Sequence, residues 1–199
     1  ALKADMDAFG TVYFTNDSGF QRYDAEPSRR DRVRAIKDVV RAVEGLPPKV
    51  PVRPELVDGN YGQVYTPTDR AAAPTVNYAD RKPGVKYAGI LTDPDAPNRK
   101  GHAFREFVHW VVTDVFGEAQ HALEYVGPGP PHGSGLHRYV FMLYEQPDDF
   151  DPAGLVQALE GRGGKRAQLE AEKAGLSVVA IDWFESRWDE SVDALHAKL

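Results

Sequence analysis

Cysteine is absent from this 199-residue chain, which excludes disulfides, a thiol nucleophile and a cysteine-ligated zinc site. No apolar run approaches the roughly 18 residues that a membrane-spanning helix needs. No short apolar stretch ending in small residues opens the chain, so a retained signal peptide is not expected. The chain starts at Ala1 rather than Met, and the expectation is a trimmed N-terminus, from which a targeting segment could have been removed. Positive charge is not in excess. Lys+Arg number 24 against 30 Asp+Glu, a formal net charge of −6, which argues against a dedicated nucleic-acid binder. Internal repeats, low-complexity tracts and a convincing linker are also missing. What remains is 42% hydrophobic, 27% charged and 11% aromatic residues, enough for one domain with a sizeable core and no staple. The expectation is a single cytoplasmic domain over residues 1–199.

Segments 28–44 read as a helix, because Val33, Ile36, Val39, Val40 and Val43 recur at helical spacing. Ser28 and Asp31 resemble a capping box, and Gly45 with Pro47-Pro48 ends the element. Its bases, Arg29, Arg30, Arg32, Arg34, Lys37 and Arg41, read as a solvated outer face. The middle of the chain changes to strand-and-turn punctuation. Residues 50–66, 75–78, 85–92, 107–115 and 137–144 are rich in Val, Tyr, Phe and Ile between Gly, Pro and Asp. In 85–92 and 107–115 both alternating faces are apolar, which predicts central strands covered on both sides. Toward the C-terminus, Leu155, Val156 and Leu159 suggest a short helix, and 165–174 a second. Residues 176–181 suggest a strand. Phe184, Trp188, Val192, Leu195 and Leu199 step as an amphipathic terminal helix.

Two segments carry the chemistry. Asp93-Pro94-Asp95-Ala96-Pro97-Asn98-Arg99 directly follows a buried strand, and its prolines make a rigid loop. Taken alone, the aspartates read first as turn formers that bond nearby N–H groups, and second as acceptors held at the mouth of a sheet. The second segment, 125–139, is rich in Gly and Pro up to Gly135 and then enters a strand. There His137, Tyr139, Phe141 and Leu143 share one face. Glycine backbones approach ligands closely and form anion-binding concavities. His109 sits in the 107–115 strand and is read as sharing a face with Phe107 and Val111. A lone His there reads first as a packed core residue. Beside His137 and the Asp pair it would join a polar cluster in which carboxylates fix imidazole tautomers.

These residues match a known pattern. Leu91–Arg99, Arg105-Glu106-Phe107-Val108-His109-Trp110, and Gly127–Pro131 with Gly133–Tyr139 resemble, in order and spacing, the phosphatidylethanolamine-binding protein family, which includes the Raf kinase inhibitor proteins. Weaker likeness runs from Tyr65-Thr66-Pro67-Thr68 to the Phe184–Leu195 tail. The resemblance implies a mainly β, α+β fold. A large central β-sheet would be flanked by a smaller β-sheet on one side and by helices on the other, with 1–46 an N-terminal extension carrying the basic helix. It implies a pocket for phosphate-type anions and phospholipid head groups, lined by Asp93, Asp95, His109, Gly129, Pro130, Pro131, His137 and Tyr139. It also implies a cis Ala96-Pro97 bond, possible peripheral membrane contact, and partner proteins such as a kinase or a protease. No cofactor is implied. Two positions depart from the family: Val108 stands where a second His is common, and Phe184 where many members carry a Tyr.

The expected function is therefore a non-enzymatic binding and regulatory protein. Gly-loop N–H groups and His137 would capture an anion, with His109 and the aspartates setting protonation. A docking notch for a phosphorylated or acidic partner is the second expectation. The alternative from another class is an Asp/His-cluster hydrolase acting on phosphoesters or esters. Ser134 precedes His137 by three residues, but His132-Gly133-Ser134-Gly135-Leu136 is not a Gly-x-Ser-x-Gly elbow, and nothing in the sequence pairs this serine with a base. Gly127-x-Gly129 runs into Pro-Pro-His, which breaks a dinucleotide fingerprint. A divalent ion among Asp93, Asp95, His109 and His137 is chemically reasonable, yet no spacing demands it. Asn16-Asp17-Ser18 fits a glycosylation pattern that matters only in a secreted chain.

Overall fold

The structure is a computed structural model and describes residues 3–6, 12–16, 19–22, 29–59 and 61–198. Three strands come first: β1 (Lys3–Met6), β2 (Val12–Asn16) and β3 (Gly19–Arg22), paired antiparallel in that order. Helix α1 (Arg29–Ala42) follows. The main body is a six-stranded mixed sheet in the order β4-β9-β8-β5-β6-β7. Its strands are β4 (Val64–Tyr65), β5 (Lys86–Asp93), β6 (Phe107–Thr113), β7 (Gln120–Leu123), β8 (His137–Gln146) and β9 (Ser177–Ser186). Strand β4 runs parallel to β9, and the other neighbours are antiparallel. Helices α2 (Pro152–Leu159) and α3 (Ala167–Lys173) lie between β8 and β9, and α4 (Ser191–His196) follows β9. Among the described residues no helix is long and apolar enough to cross a membrane.

Side-chain alternation on β8 separates two cores. Val140, Met142 and Tyr144 pack with Ala35, Val39 and Val43 of the α1 region, Leu155 and Leu159 of α2, and Ala167 and Ala171 of α3. Tyr139, Phe141 and Leu143 pack on the opposite face with Leu91, Trp110, Phe184, Leu56 and Val57. Burying each large aliphatic side chain contributes about 1.5–3 kcal/mol, so the double covering of β5 and β8 anchors the sheet. The apolar readings of 85–92, 107–115 and 137–144 thus correspond to β5, β6 and β8, as central strands covered on both faces should.

Three sequence expectations differ from the structure. Residues 50–66 and 75–78 do not form long strands. Pro51 and Pro54 lack a ladder donor, and the segment docks through single bonds instead. Arg53 N–H donates to Ile181 O (2.9 Å), Ile181 N–H to Pro51 O (2.8 Å), and Asn77 N–H to Leu56 O (2.9 Å). The expected terminal helix from Phe184 is cut short. Phe184 belongs to β9 opposite Tyr139, with which it stacks (centroids 5.1 Å apart, 11° between planes). The helix begins only at Ser191, whose N–H donates to Asp189 Oδ1 (2.9 Å). Val33, on the periodic face of α1, is 44% exposed. Ser28 of the expected capping box lies outside the described residues, as do Asp17 and Ser18 of the glycosylation pattern.

Glu106 sits at the start of the β6 segment, follows a cis Arg105-Glu106 bond, and is buried. Burial pushes its carboxyl up from 4.5 to about 8, against the opposing charge of Arg105. A raised carboxyl binds its proton more tightly folded than unfolded. Its stabilising contribution is therefore full below pH 4.5 and is lost as pH rises toward about 8. Glu106→Gln is expected to remove that pH dependence and to stabilise the protein at neutral pH by up to about 3 kcal/mol. Urea denaturation of both proteins from mildly acid to mildly alkaline pH checks it, and parallel stability curves would contradict it.

Candidate functional site

The end of β5 and the start of β8 lie side by side, which brings Asp93 to His137. Asp93 Oδ2 is 2.7 Å from His137 Nδ1, and its Oδ1 accepts the N–H of Asp95 (2.7 Å). On the far side of the ring, His137 Nε2 is 2.9 Å from Ser134 Oγ. Ser134 closes a tight turn, its N–H donating to Pro131 O (3.0 Å) and its hydroxyl to the same carbonyl (2.7 Å). Gly133, at φ +77°, is the residue that lets this turn close. The serine for which the sequence offered no base is therefore paired with His137. The left-handed kink at Gly135 (φ +83°) folds the loop back so that a residue three positions upstream reaches the imidazole.

His109 arrives by a different device. Leu91 pairs with Trp110 and Thr92 with Val108, so His109 is the extra residue of a β-bulge. The bulge corrects the expected face-sharing. Val111 packs with Val108 in the α1-side core, whereas Trp110 and Val112 join the opposite one. The His109 ring lies against Phe107 (4.9 Å) and edge-on to Tyr139 (5.0 Å) on that opposite side. Arg162 braces the bulge by donating to the carbonyls of Val108 (3.0 Å) and His109 (3.2 Å). His109 Nδ1 faces Val126 O at 2.8 Å, and since a carbonyl only accepts, Nδ1 carries the proton. Burial lowers the His109 pKa below 6.5, and the charge of Asp93 only partly opposes it. The ring is thus neutral at pH 7, with Nε2 as the acceptor.

Tyr139 completes the group. Its ring lies between His109 and Phe184, and its hydroxyl is buried with no hydrogen-bond partner among the described residues. The N–H of Gly129 faces that hydroxyl without completing a bond. Burial raises the phenol well above 10, so it stays a neutral donor. The Gly129 carbonyl is taken by His196 of α4 (3.0 Å), which holds the loop from outside. Pro130 is buried, and Gly129 and Pro131 are half-buried. The notch is tight. His137 and Tyr139 are fully buried, while Asp93 and His109 keep 3% and 4% of their surface.

Asp95 is placed elsewhere. Its carboxylate accepts from Arg138 N (2.9 Å), Arg138 Nε (2.8 Å) and Arg99 Nε (3.2 Å). Arg138 reaches on to Asp38 O of α1 (2.9 Å), and Arg99 to Glu185 (2.8 Å), so this network lies on the helix side of the sheet. Burial pushes the Asp95 carboxyl up, but bonding and charge from Arg138, with Arg99, outweigh it and hold it below the usual range. Asp93, His109, Gly129, His137 and Tyr139 therefore converge, and Asp95 supports them from behind. Among the described residues no group of three or more His, Asp or Glu side chains is arranged to hold a metal ion. Val108 faces the α1-side core, so this position adds nothing to the notch beside His109 and His137. Phe184 contributes a ring without a hydroxyl. Ser134 as the partner of His137, and Arg162 as the brace of the bulge, were not identified from sequence. The i, i+3 spacing of Ser134 and His137 was the available signal for the first.

Asp95→Ala removes the buried carboxylate that pairs with the largely covered Arg138 guanidinium and leaves the exposed Arg99 with Glu185 alone. It is expected to destabilise the fold by about 3–5 kcal/mol, measured by denaturant unfolding. An unchanged midpoint would contradict the supporting role.

The phosphatidylethanolamine-binding protein sequence profile matches residues 54–179. "Putative odorant-binding protein A5" of Drosophila melanogaster is 32% identical over 175 residues, covering 82% of this chain and 83% of the relative. Among solved structures, a carboxypeptidase Y inhibitor complexed with its cognate proteinase aligns at 26% identity and TM-score 0.54, over 65% of this chain and 77% of that one. A phosphatidylethanolamine-binding protein from Plasmodium vivax aligns at 21% identity and TM-score 0.64, over 79% and 97% of the two chains, a likeness of fold. The cis Ala96-Pro97 bond is also present. With the profile covering more than half its length, this chain belongs to the phosphatidylethanolamine-binding protein family.

Proposed function

We propose that the protein is a binding and regulatory protein that captures a phosphate-type anion, of the class carried by phospholipid head groups, between His109, Tyr139, Gly129 and His137. The observation that carries this reading is the Tyr139 hydroxyl, a buried donor left without a partner among the described residues beside a neutral imidazole. A buried hydroxyl without a partner is destabilising by about 1–3 kcal/mol, and an anionic oxygen would satisfy it. His109 Nε2 accepts the P–OH of a singly protonated phosphate, or takes up a proton when a dianion enters. Gly129 supplies a backbone N–H. Asp93 holds His137 in orientation. The family name and the kinship with a proteinase inhibitor support binding as the activity, and a protein partner such as a protease or kinase is compatible with it.

Because His109 is neutral when the site is empty and gains from protonation when an anion is bound, affinity should rise as pH falls from neutral to mildly acid. Calorimetric titration with inorganic phosphate and with O-phosphoethanolamine reads this directly. The expected results are stronger binding at the lower pH and a loss of about tenfold on Tyr139→Phe, equivalent to about 1.4 kcal/mol. That variant should keep or exceed wild-type stability, since it deletes an unpartnered hydroxyl. Binding that ignores both pH and Tyr139→Phe would refute the site. Loss for O-phosphoethanolamine alone would point to head-group recognition, and equal loss for both probes to phosphate recognition.

A further inference from the structure

We infer that Ser134 is an activated nucleophile that accepts an acyl group from small carboxylic esters bearing a negative charge. The inference does not rest on anion capture in the notch. It stands on three observations. The first is a chain of contacts, in which Asp93 Oδ2 is 2.7 Å from His137 Nδ1 and His137 Nε2 is 2.9 Å from Ser134 Oγ, while the resting hydroxyl donates to Pro131 O (2.7 Å). Those to His137 are the contacts by which a carboxylate orients an imidazole and the imidazole takes a hydroxyl proton. Asp93 is itself fixed, its other oxygen accepting the Asp95 N–H.

The second observation is access. Ser134 is half-buried and lines a cavity of about 550 Å³ together with Pro97, Arg99, Lys100, His132 and Gly135. This chain of contacts is buried on its imidazole side and open on its hydroxyl side. The third is the chemistry of the walls. No acidic residue lines this cavity. Arg99 is paired with Asp95 and Glu185, while Lys100 is exposed and has no ion-pair partner among the described residues. The cavity therefore suits a substrate with an anionic group. The N–H of Gly135, the residue after Ser134, has no acceptor among the described residues and is the donor available to a developing oxyanion.

The step balances without a co-reactant other than water. The Ser134 hydroxyl, released from Pro131 O, passes its proton to His137 Nε2 as Oγ bonds to the ester carbonyl carbon. The carbon–oxygen bond to the leaving alcohol or phenol breaks, and that oxygen takes the proton from His137. The products are acyl-Ser134 and the free alcohol. Water then adds to the acyl carbon by the reverse proton path, releasing a carboxylic acid and restoring Ser134.

The test uses the full chain and p-nitrophenyl hemisuccinate, with neutral p-nitrophenyl acetate for comparison. The expected result is a burst of nitrophenolate close to one equivalent, faster with the anionic ester, and succinylation mapped to Ser134 by peptide mass spectrometry. Ser134→Ala removes the hydroxyl that contacts Pro131 O and the buried His137 Nε2, so it should remain folded with a thermal midpoint lowered by a few degrees and lose the burst. Asp93→Asn, which mis-orients the imidazole, should slow acylation by up to about four orders of magnitude. If that variant does not fold, the Ser134→Ala comparison decides alone. A burst that survives Ser134→Ala, acyl groups found on Lys100 instead, or no acylation at all would overturn the inference. Phosphate binding retained in a protein that fails this test would leave the anion site standing.

Discussion

The pairing of Asp93 with His137 is the interaction on which the site depends. The two residues are 44 positions apart and sit at the adjoining ends of two central strands. Neither polar group can sit buried there without a partner, because stranding one of them in a low-dielectric interior is strongly unfavourable. Their contact sets where β5 ends, where β8 begins, and how the glycine-rich loop closes between Pro131 and His137. It also presents the second imidazole nitrogen to Ser134. One hydrogen bond thus orients the chemistry on both sides of the ring.

The same stretch of sequence serves two faces of the sheet. Asp93 and Asp95 are followed far along the chain by His137 and Arg138, and the members pair in order. Asp93 meets His137 on the notch side, and Asp95 meets Arg138 on the helix side. Strand alternation requires this, since neighbouring side chains on β8 point to opposite faces. The helix-side network of Asp95, Arg138, Arg99 and Glu185 ties the sheet to α1 through Asp38. Rigidity behind the sheet is what allows a polar cluster in front of it to hold its geometry. The β-bulge acts in the same sense, since without the extra residue His109 and Trp110 would alternate to opposite faces and the notch would lose its neutral imidazole.

Much of this was legible from residue pattern. Runs with apolar residues at both alternating positions marked β5 and β6, a run rich in Val, Tyr and Phe marked β8, and Gly-Pro density marked the loop. The family likeness drew His109, His137 and Tyr139 together. Other parts were not, for physical reasons. The separate duty of Asp95 depends on which face each loop carboxylate turns to, and a spacing of two leaves that open in a proline-rich bend. The bulge at His109 leaves no trace in hydropathy, because both Trp110 and Val111 are apolar. Phe184 and Val192 fell on a helical period by coincidence, whereas cross-strand stacking on Tyr139 places Phe184 in β9. The pairing of Ser134 with His137 required the positive φ of Gly135, which a motif comparison with Gly-x-Ser-x-Gly does not test.

The central claim is that the buried hydroxyl and imidazole of the notch form a receptor for an anion. The most direct measurement is a crystal structure of the protein soaked in inorganic phosphate. The account predicts tetrahedral density within hydrogen-bonding distance of Tyr139 Oη and His109 Nε2, with the Asp93–His137 bond intact. Phosphate found only in the arginine-lined cavity beneath α1, beside Arg41, Arg105 and Arg138, with the notch closed and Tyr139 bonded to water, would contradict it.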